Sequence, residues 1–223
     1  MCFLPDRSRF DSLAQTHRFV PVYRRLLSDS LTPLSAFARL DTGSCGCLFE
    51  SVIGGERVGR WSFLAAEPFL QFEARGRDVS LRGHTVDGGE IDERFACDDP
   101  FAELHQRMSA FQPARLEELP PFTSGVVGFA SYDAVRYVER LPDAPPDDLG
   151  LPDLSFAFYD RMVVFDNVNK TLDVVVLARI DDPSAEGRAA AYETACRRVN
   201  DTVSVLSVAG EWPQPADIHP RKG

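Results

Sequence analysis

The sequence predicts an α+β fold, mostly antiparallel β-sheets in a sandwich-like arrangement with helices packed against them. Three observations carry that prediction. Residues 69–91 (FLQFEARGRDVSLRGHTVDGGEI) alternate apolar and polar side chains between glycines, the pattern of a small antiparallel meander. Residues 154–180 (LSFAFYDRMVVFDNVNKTLDVVVLARI) hold two β-rich runs joined by a short polar connection, Asp166 to Lys170, the pattern of a long antiparallel hairpin. Two other segments repeat apolar residues at steps of three and four, the spacing of one helix face.

Taken in order, residues 1–18 read as a weakly ordered N-terminal segment. FVPVYRRLLS (19–28) is β-prone at its start, with Leu26 and Leu27 leaving strand and helix both open. TPLSAFARL (32–40) predicts a short helix: Thr32 is a good N-cap, and Pro33 falls at the first helical position, where its missing N–H costs nothing. CLFESVI and WSFLAA then read as strands flanking Gly54-Gly55. After the meander, Asp99-Pro100 opens a helix with Phe101, Leu104, Met108 and Phe111 on one face. FTSGVVGFASYDAVRYVERLP reads as a strand running through a glycine-containing bend into a short helix ended by Pro142.

An acidic, proline-rich stretch (143–153) belongs on the surface, and the last helix is expected to start at Asp182-Pro183. Its stripe of Tyr192, Cys196, Val199, Val203 and Leu206 must pack on something, and the expected cover is polypeptide beyond this chain. Residues 209–223 hold three prolines and no pattern, and read as a truncated linker.

Composition narrows the function classes. Twenty-four Lys and Arg against 34 Asp and Glu give a net charge of −10 with no basic stripe, which makes nucleic acid a poor partner. No stretch approaches the roughly 18 apolar residues of a membrane span. The opening MCFLPDRSRFDS has charges where a secretory signal has its apolar core, so a cytoplasmic location is expected. The five cysteines (2, 45, 47, 97, 196) lack metal or redox spacing and read as reduced thiols used as small apolar side chains. The four histidines lie in different segments, none with metal-ligand spacing, and His105 falls between the stripe positions of its helix. Gly125-Val126-Val127-Gly128 lacks the third glycine of a dinucleotide fingerprint, and no nucleophile elbow or P-loop occurs. No catalytic constellation emerges.

The segments FVPVYRRLLSDSLTPLSAFARL, CLFESVIGGERVGRWSF and FTSGVVGFASYDAVRYVERLP, in that order and spacing, resemble the N-terminal domain of anthranilate synthase component I, the large subunit of the first committed enzyme of tryptophan biosynthesis. The resemblance covers about residues 19–180. Leu48-Phe49-Glu50-Ser51 followed by GGERxGRWSF departs from the family's Leu-Leu-Glu-Ser only at Phe49, and GVVGFxxYDxxR is a second, independent match.

The resemblance implies that residues 19–208 form the N-terminal, tryptophan-regulatory half of the component I fold. It implies that Ser51 touches the effector L-tryptophan, on a strand that puts Cys47, Phe49 and Ser51 on one face and Leu48 and Glu50 on the other. Glu50 is expected to complement the ammonium group if the strand ends or bulges there, and otherwise to be structural, paired with Arg57 or Arg60. The conversion of chorismate to anthranilate, with its Mg²⁺ carboxylates, belongs in the family to a chorismate-binding domain that nothing in this chain resembles. No catalytic residue and no cofactor is therefore expected in these 223 residues. Implied partners are that catalytic domain and a glutamine amidotransferase subunit. Two other readings stand beside this one: the homologous component of aminodeoxychorismate synthase in folate synthesis, and a non-catalytic scaffold for a separate catalytic half.

Overall fold

The computed structural model describes residues 2–40, 43, 45–50, 59–84, 89–143 and 146–208. Its elements run α1 (Arg7–Leu13), β1 (Phe19–Leu27), α2 (Pro33–Leu40), β2 (Gly46–Glu50), β3 (Trp61–Ala66), β4 (Leu70–Arg75), β5 (Asp78–His84), β6 (Glu90–Ala96), α3 (Pro100–Ala110), β7 (Gly125–Ala130), a 3-10 helix (Tyr132–Tyr137), β8 (Leu154–Tyr159), β9 (Arg161–Asp166), β10 (Thr171–Arg179) and α4 (Ala185–Ser207). The strands form two five-stranded antiparallel sheets, ordered β1-β10-β9-β3-β2 and β6-β5-β4-β8-β7. The α+β, sandwich-like expectation describes this architecture.

Alternation along the strands sends side chains into three layers of core. One face of the first sheet, with Val20, Val22, Leu64, Phe165, Val174 and Val176, packs under α1, α2 and α4. Its other face meets the second sheet through Ala65, Met162 and Val164 against Ala157 and Tyr159. The far face of the second sheet, with Phe72, Leu81, Leu154 and Phe158, is covered by Leu104 of α3 and Ala134 of the 3-10 helix. Among the described residues no helix is long and apolar enough to cross a membrane.

The cap expected for α2 is present and reciprocal: Ser35 N–H donates to Thr32 Oγ1 at 3.2 Å, and Thr32 N–H to Ser35 Oγ at 3.0 Å. The 69–91 meander is β4 and β5 with the start of β6, and the 19–28 ambiguity resolves to strand. His105 is exposed.

Four expectations are corrected. Residues 2–18 are ordered: Asp6 caps α1 by accepting from Arg9 N–H, Phe10 is fully buried, and Leu4 bridges Tyr23 of β1. One buried aromatic on a seven-residue helix leaves no stripe to read. The run 154–166 is not one strand of a hairpin but two strands in different sheets, broken at Asp160. There the carbonyl accepts from Leu177 N–H at 2.7 Å, and the carboxylate takes both guanidinium nitrogens of Arg198 at 2.8 Å. The last helix begins at Ala185 with Ser184 as N-cap, accepting from Gly187 N–H at 3.0 Å. Asp182 holds the preceding turn by accepting from Ser184 N–H and Oγ. Finally, the stripe of α4 is covered within this chain: Val199 and Leu206 are buried, and Tyr192, Cys196 and Val203 pack against the first sheet's core.

Candidate functional site

The end of β2 is where the sequence placed its site, and local structure shows how that end is held. β2 is an edge strand paired to β3 in the register Cys47↔Ala65, Leu48↔Leu64, Phe49↔Phe63 and Glu50↔Ser62. Leu48 turns to the helix-covered core and Cys47 to the core between the sheets, as the expected alternation requires. Burial then fades along the strand: Phe49 is half exposed and Glu50 is exposed. Ser51 and Arg57 lie outside the described residues. Glu50 is thus the described half of the Glu-Ser pair. Its carboxylate makes no hydrogen bond or ion pair among the described residues, at the open margin of a sheet.

Arg60 does not pair with Glu50. It donates from Nε and Nη2 to Asp166 Oδ2, at 3.2 and 2.7 Å, across 106 residues of sequence. Its guanidinium also lies 4.4 Å from the centre of the Trp61 ring. Asp166, at the end of β9, is 5 % exposed and collects further donors. Val168 and Asn169 N–H reach Oδ1 at 3.1 and 3.0 Å, and Asn169 Nδ2 reaches Oδ2 at 2.8 Å. Burial alone would raise this carboxyl, but the donors from Arg60 and Asn169, with the charge of Arg60, outweigh it and hold it below the usual carboxylate range. Asn167 completes the arrangement. Its N–H donates to Arg60 O at 2.8 Å, and its Nδ2 to the buried Ser62 hydroxyl at 2.9 Å, with a longer contact to Gly59 O.

The β9–β10 connection therefore grips the first residues of β3. That grip lay outside sequence reasoning, which read 166–170 only as a polar turn. An acid and a guanidinium a hundred residues apart carry no local signal.

At the other end of β2, Cys45 Sγ lies 3.4 Å from the Tyr159 hydroxyl. Burial pushes that phenol far above its ordinary range, with the neighbouring thiols of Cys45 and Cys47 adding to the shift, and burial likewise raises Cys47. Cys2 and Cys45 are exposed, so the reading of every cysteine as an apolar filler holds only for part of the set. A cavity of about 320 Å³ opens elsewhere, beneath the N-terminal half of α4, between Phe19, Phe69, Phe111 and Ala191. No residue of β2 lines it. Among the described residues no three His, Cys, Asp or Glu side chains gather into a metal-binding group. The described end of β2 thus presents an exposed carboxylate with no partner among the described residues and a half-exposed aromatic, on an edge strand backed by β3.

No family model matches the chain. It is 36% identical over 221 residues to anthranilate synthase component 1 of Pseudomonas aeruginosa, covering 98% of this chain and 41% of that protein. It is 38% identical over 175 residues to anthranilate synthase component 1 of Acinetobacter calcoaceticus, covering 76% of this chain and 34% of the relative. The chain thus spans about two fifths or less of the length of these relatives. Its fold matches the crystal structure of anthranilate synthase component I from Streptococcus pneumoniae TIGR4 with a TM-score of 0.50 at 24% identity, over 84% of this chain and 37% of that one. The chain belongs to the anthranilate synthase component I family and corresponds to the N-terminal part of its members.

Proposed function

We propose that this chain is the regulatory N-terminal part of an anthranilate synthase large subunit and that the end of β2 forms one wall of an L-tryptophan site. The observation that carries the reading is the identity spanning 98% of this chain but only 41% of the Pseudomonas relative. An amino-acid ligand needs partners for its ammonium and carboxylate beside an apolar slot. Phe49 offers a half-exposed ring and Ser51 a hydroxyl that donates or accepts. Glu50, which alternation puts on the opposite face, is the last residue of β2, where the end of the strand lets its exposed carboxylate turn to the ammonium.

The remaining wall and the reaction centre belong to a chorismate-binding domain, where Mg²⁺ would be held and chorismate converted to anthranilate, with ammonia delivered by a glutamine amidotransferase subunit. This polypeptide on its own is inactive and works in the cytoplasm as part of that assembly. That its relatives are anthranilate synthases favours the tryptophan branch over folate synthesis.

Two measurements test the reading. Chorismate, ammonia and Mg²⁺ incubated with the chain should give no anthranilate fluorescence above a blank, and turnover would overturn the inactive assignment. Calorimetric titration with L-tryptophan should show weak heat that Ser51→Ala and Glu50→Gln each reduce by about tenfold in affinity, about 1.4 kcal/mol. Heat that survives both substitutions unchanged, or no heat at 10 mM ligand (on the order of the weakest specific binding), sinks the site.

A further inference from the structure

The two ends of the segment between β2 and β3 are held very differently. On the β2 side, Glu50 stands exposed at a sheet margin and faces Ser62 across the strand pair. On the β3 side, Gly59, Arg60 and Ser62 are each gripped by the β9–β10 connection through Asn167, and Arg60 again through Asp166. The hydroxyl opposite Glu50 is oriented by the same residue, Asn167, that holds the carbonyls of Gly59 and Arg60. Asp166 in turn fixes that connection, because its carboxylate caps the turn at Val168 and Asn169 while binding Arg60. A near-buried carboxylate carrying five donors is far more connection than a four-residue β-turn requires.

We infer that Asp166 is a positioning residue for the effector site: through Arg60 and the turn it caps, it sets where β3 begins opposite Glu50, and so sets the affinity for the ligand without touching it. The inference rests on the tryptophan reading above for its ligand, but not for the anchor itself.

A second ion pair in the same sheet supplies the control. Arg25 donates to both oxygens of Asp173 at 2.8 and 2.9 Å, and Asp173 is 3 % exposed, as buried as Asp166. That pair joins β1 to β10, and among the described residues its hydrogen bonds reach neither β2 nor β3. Removing either charge should weaken the sheet; only one should be felt at Glu50.

The test uses the full chain with Trp212→Phe, so that Trp61 is the remaining tryptophan. Asp166→Asn and Asp173→Asn are compared by Trp61 emission and by calorimetric titration with L-tryptophan. Asp166→Asn is expected to change the Trp61 emission, because Arg60 loses its tether over the ring, and to weaken tryptophan binding at least fivefold. Asp173→Asn is expected to lower the melting temperature comparably while leaving emission and affinity within twofold of the parent. Arg60→Lys, which keeps the charge, should recover part of the affinity that Arg60→Gln loses. Equal affinity loss in Asp166→Asn and Asp173→Asn overturns the positioning role and leaves only general destabilisation. If the parent chain binds no tryptophan, the effector reading falls and the affinity claim with it. The emission arm still judges the anchor on its own: unchanged Trp61 emission in Asp166→Asn would overturn that too.

Discussion

The two sheets bury their strands under opposite regimes, and their sequences differ accordingly. β10, second in the first sheet, buries seven consecutive residues from Leu172 to Ala178. Val174 and Val176 face α4 and its neighbours, while Val175 lies with Tyr23 under Leu116 and Leu119. β6, at the edge of the second sheet, buries none. Between these extremes β4 alternates, with Leu70, Phe72 and Ala74 inward and Gln71 and Glu73 outward. A continuous apolar run is usually the mark of a parallel sheet. Here it marks an antiparallel strand covered on both faces, so the run reports coverage and not strand direction.

That contrast predicts where the stability lies. Phe165 of β9 is 2 % exposed in the first sheet's core, and Phe165→Ala should cost about 3–5 kcal/mol. Phe95 of β6 is half-buried against the second sheet's core, and Phe95→Ala should cost about 1–2 kcal/mol. Urea unfolding followed by circular dichroism measures both. Equal costs would break the comparison, showing that the outer sheet is as deeply committed as the inner one.

The second sheet has its own point of intolerance. At Gly128 of β7 an added Cβ would sit 2.1 Å from Ser155 O and 2.6 Å from Phe156 Cα on β8, both backbone atoms that cannot swing aside. The strand pair must spread to admit it. Gly128→Ala should therefore cost about 1–3 kcal/mol although the residue is exposed. A loss below about 0.5 kcal/mol, the usual scale of surface substitutions, would show that β7 yields freely and that the second sheet's edge is softer than its packing implies.

These two sites also show what could be read in advance. The sequence reveals the meander because each strand there has one wet face, and the α2 cap because Thr32, Pro33 and Ser35 are neighbours. It conceals the break at Asp160, because apolar residues continue on both sides of it and the change of sheet depends on Arg198 and Leu177. The glycine at 128 suggests a bend when taken alone, yet it lies within a straight strand, where the need for glycine comes from a facing carbonyl. The candidate site divides the same way. Glu50 and Ser51 are legible as a motif by family resemblance, whereas the Arg60–Asp166–Asn167 grip exists only once β3 and β9 are side by side.

Acid should sharpen the contrast by the smallest margin. Among the described residues four carboxylates are held below their ordinary range, and they lie around the first sheet and its connections: Glu118 in the segment over β1, Asp166 at the end of β9, and Asp181 and Asp182 just past β10. Glu118 owes its shift first to the hydrogen bond from Arg9, and Asp182 to Ser184 N–H. In Asp181, as in Asp166, burial opposes the shift and arginine donors outweigh it, here those of Arg18 and Arg179. A carboxyl depressed in the folded state contributes stability that is complete above its unfolded pKa and is lost as pH falls through the folded one. The chain should therefore be most sensitive to acid from about pH 5 downward, and amide exchange along β9 and β10 should accelerate before exchange along β4 and β5. Asp166→Asn removes one of these contributions. It should lower the melting temperature at pH 7 by about 2–4 °C and bring the variant closer to the parent as the pH approaches about 3. If the gap between variant and parent instead stays constant across that range, the carboxylate's charge is not what holds Arg60, and neutral hydrogen bonding within the turn is enough.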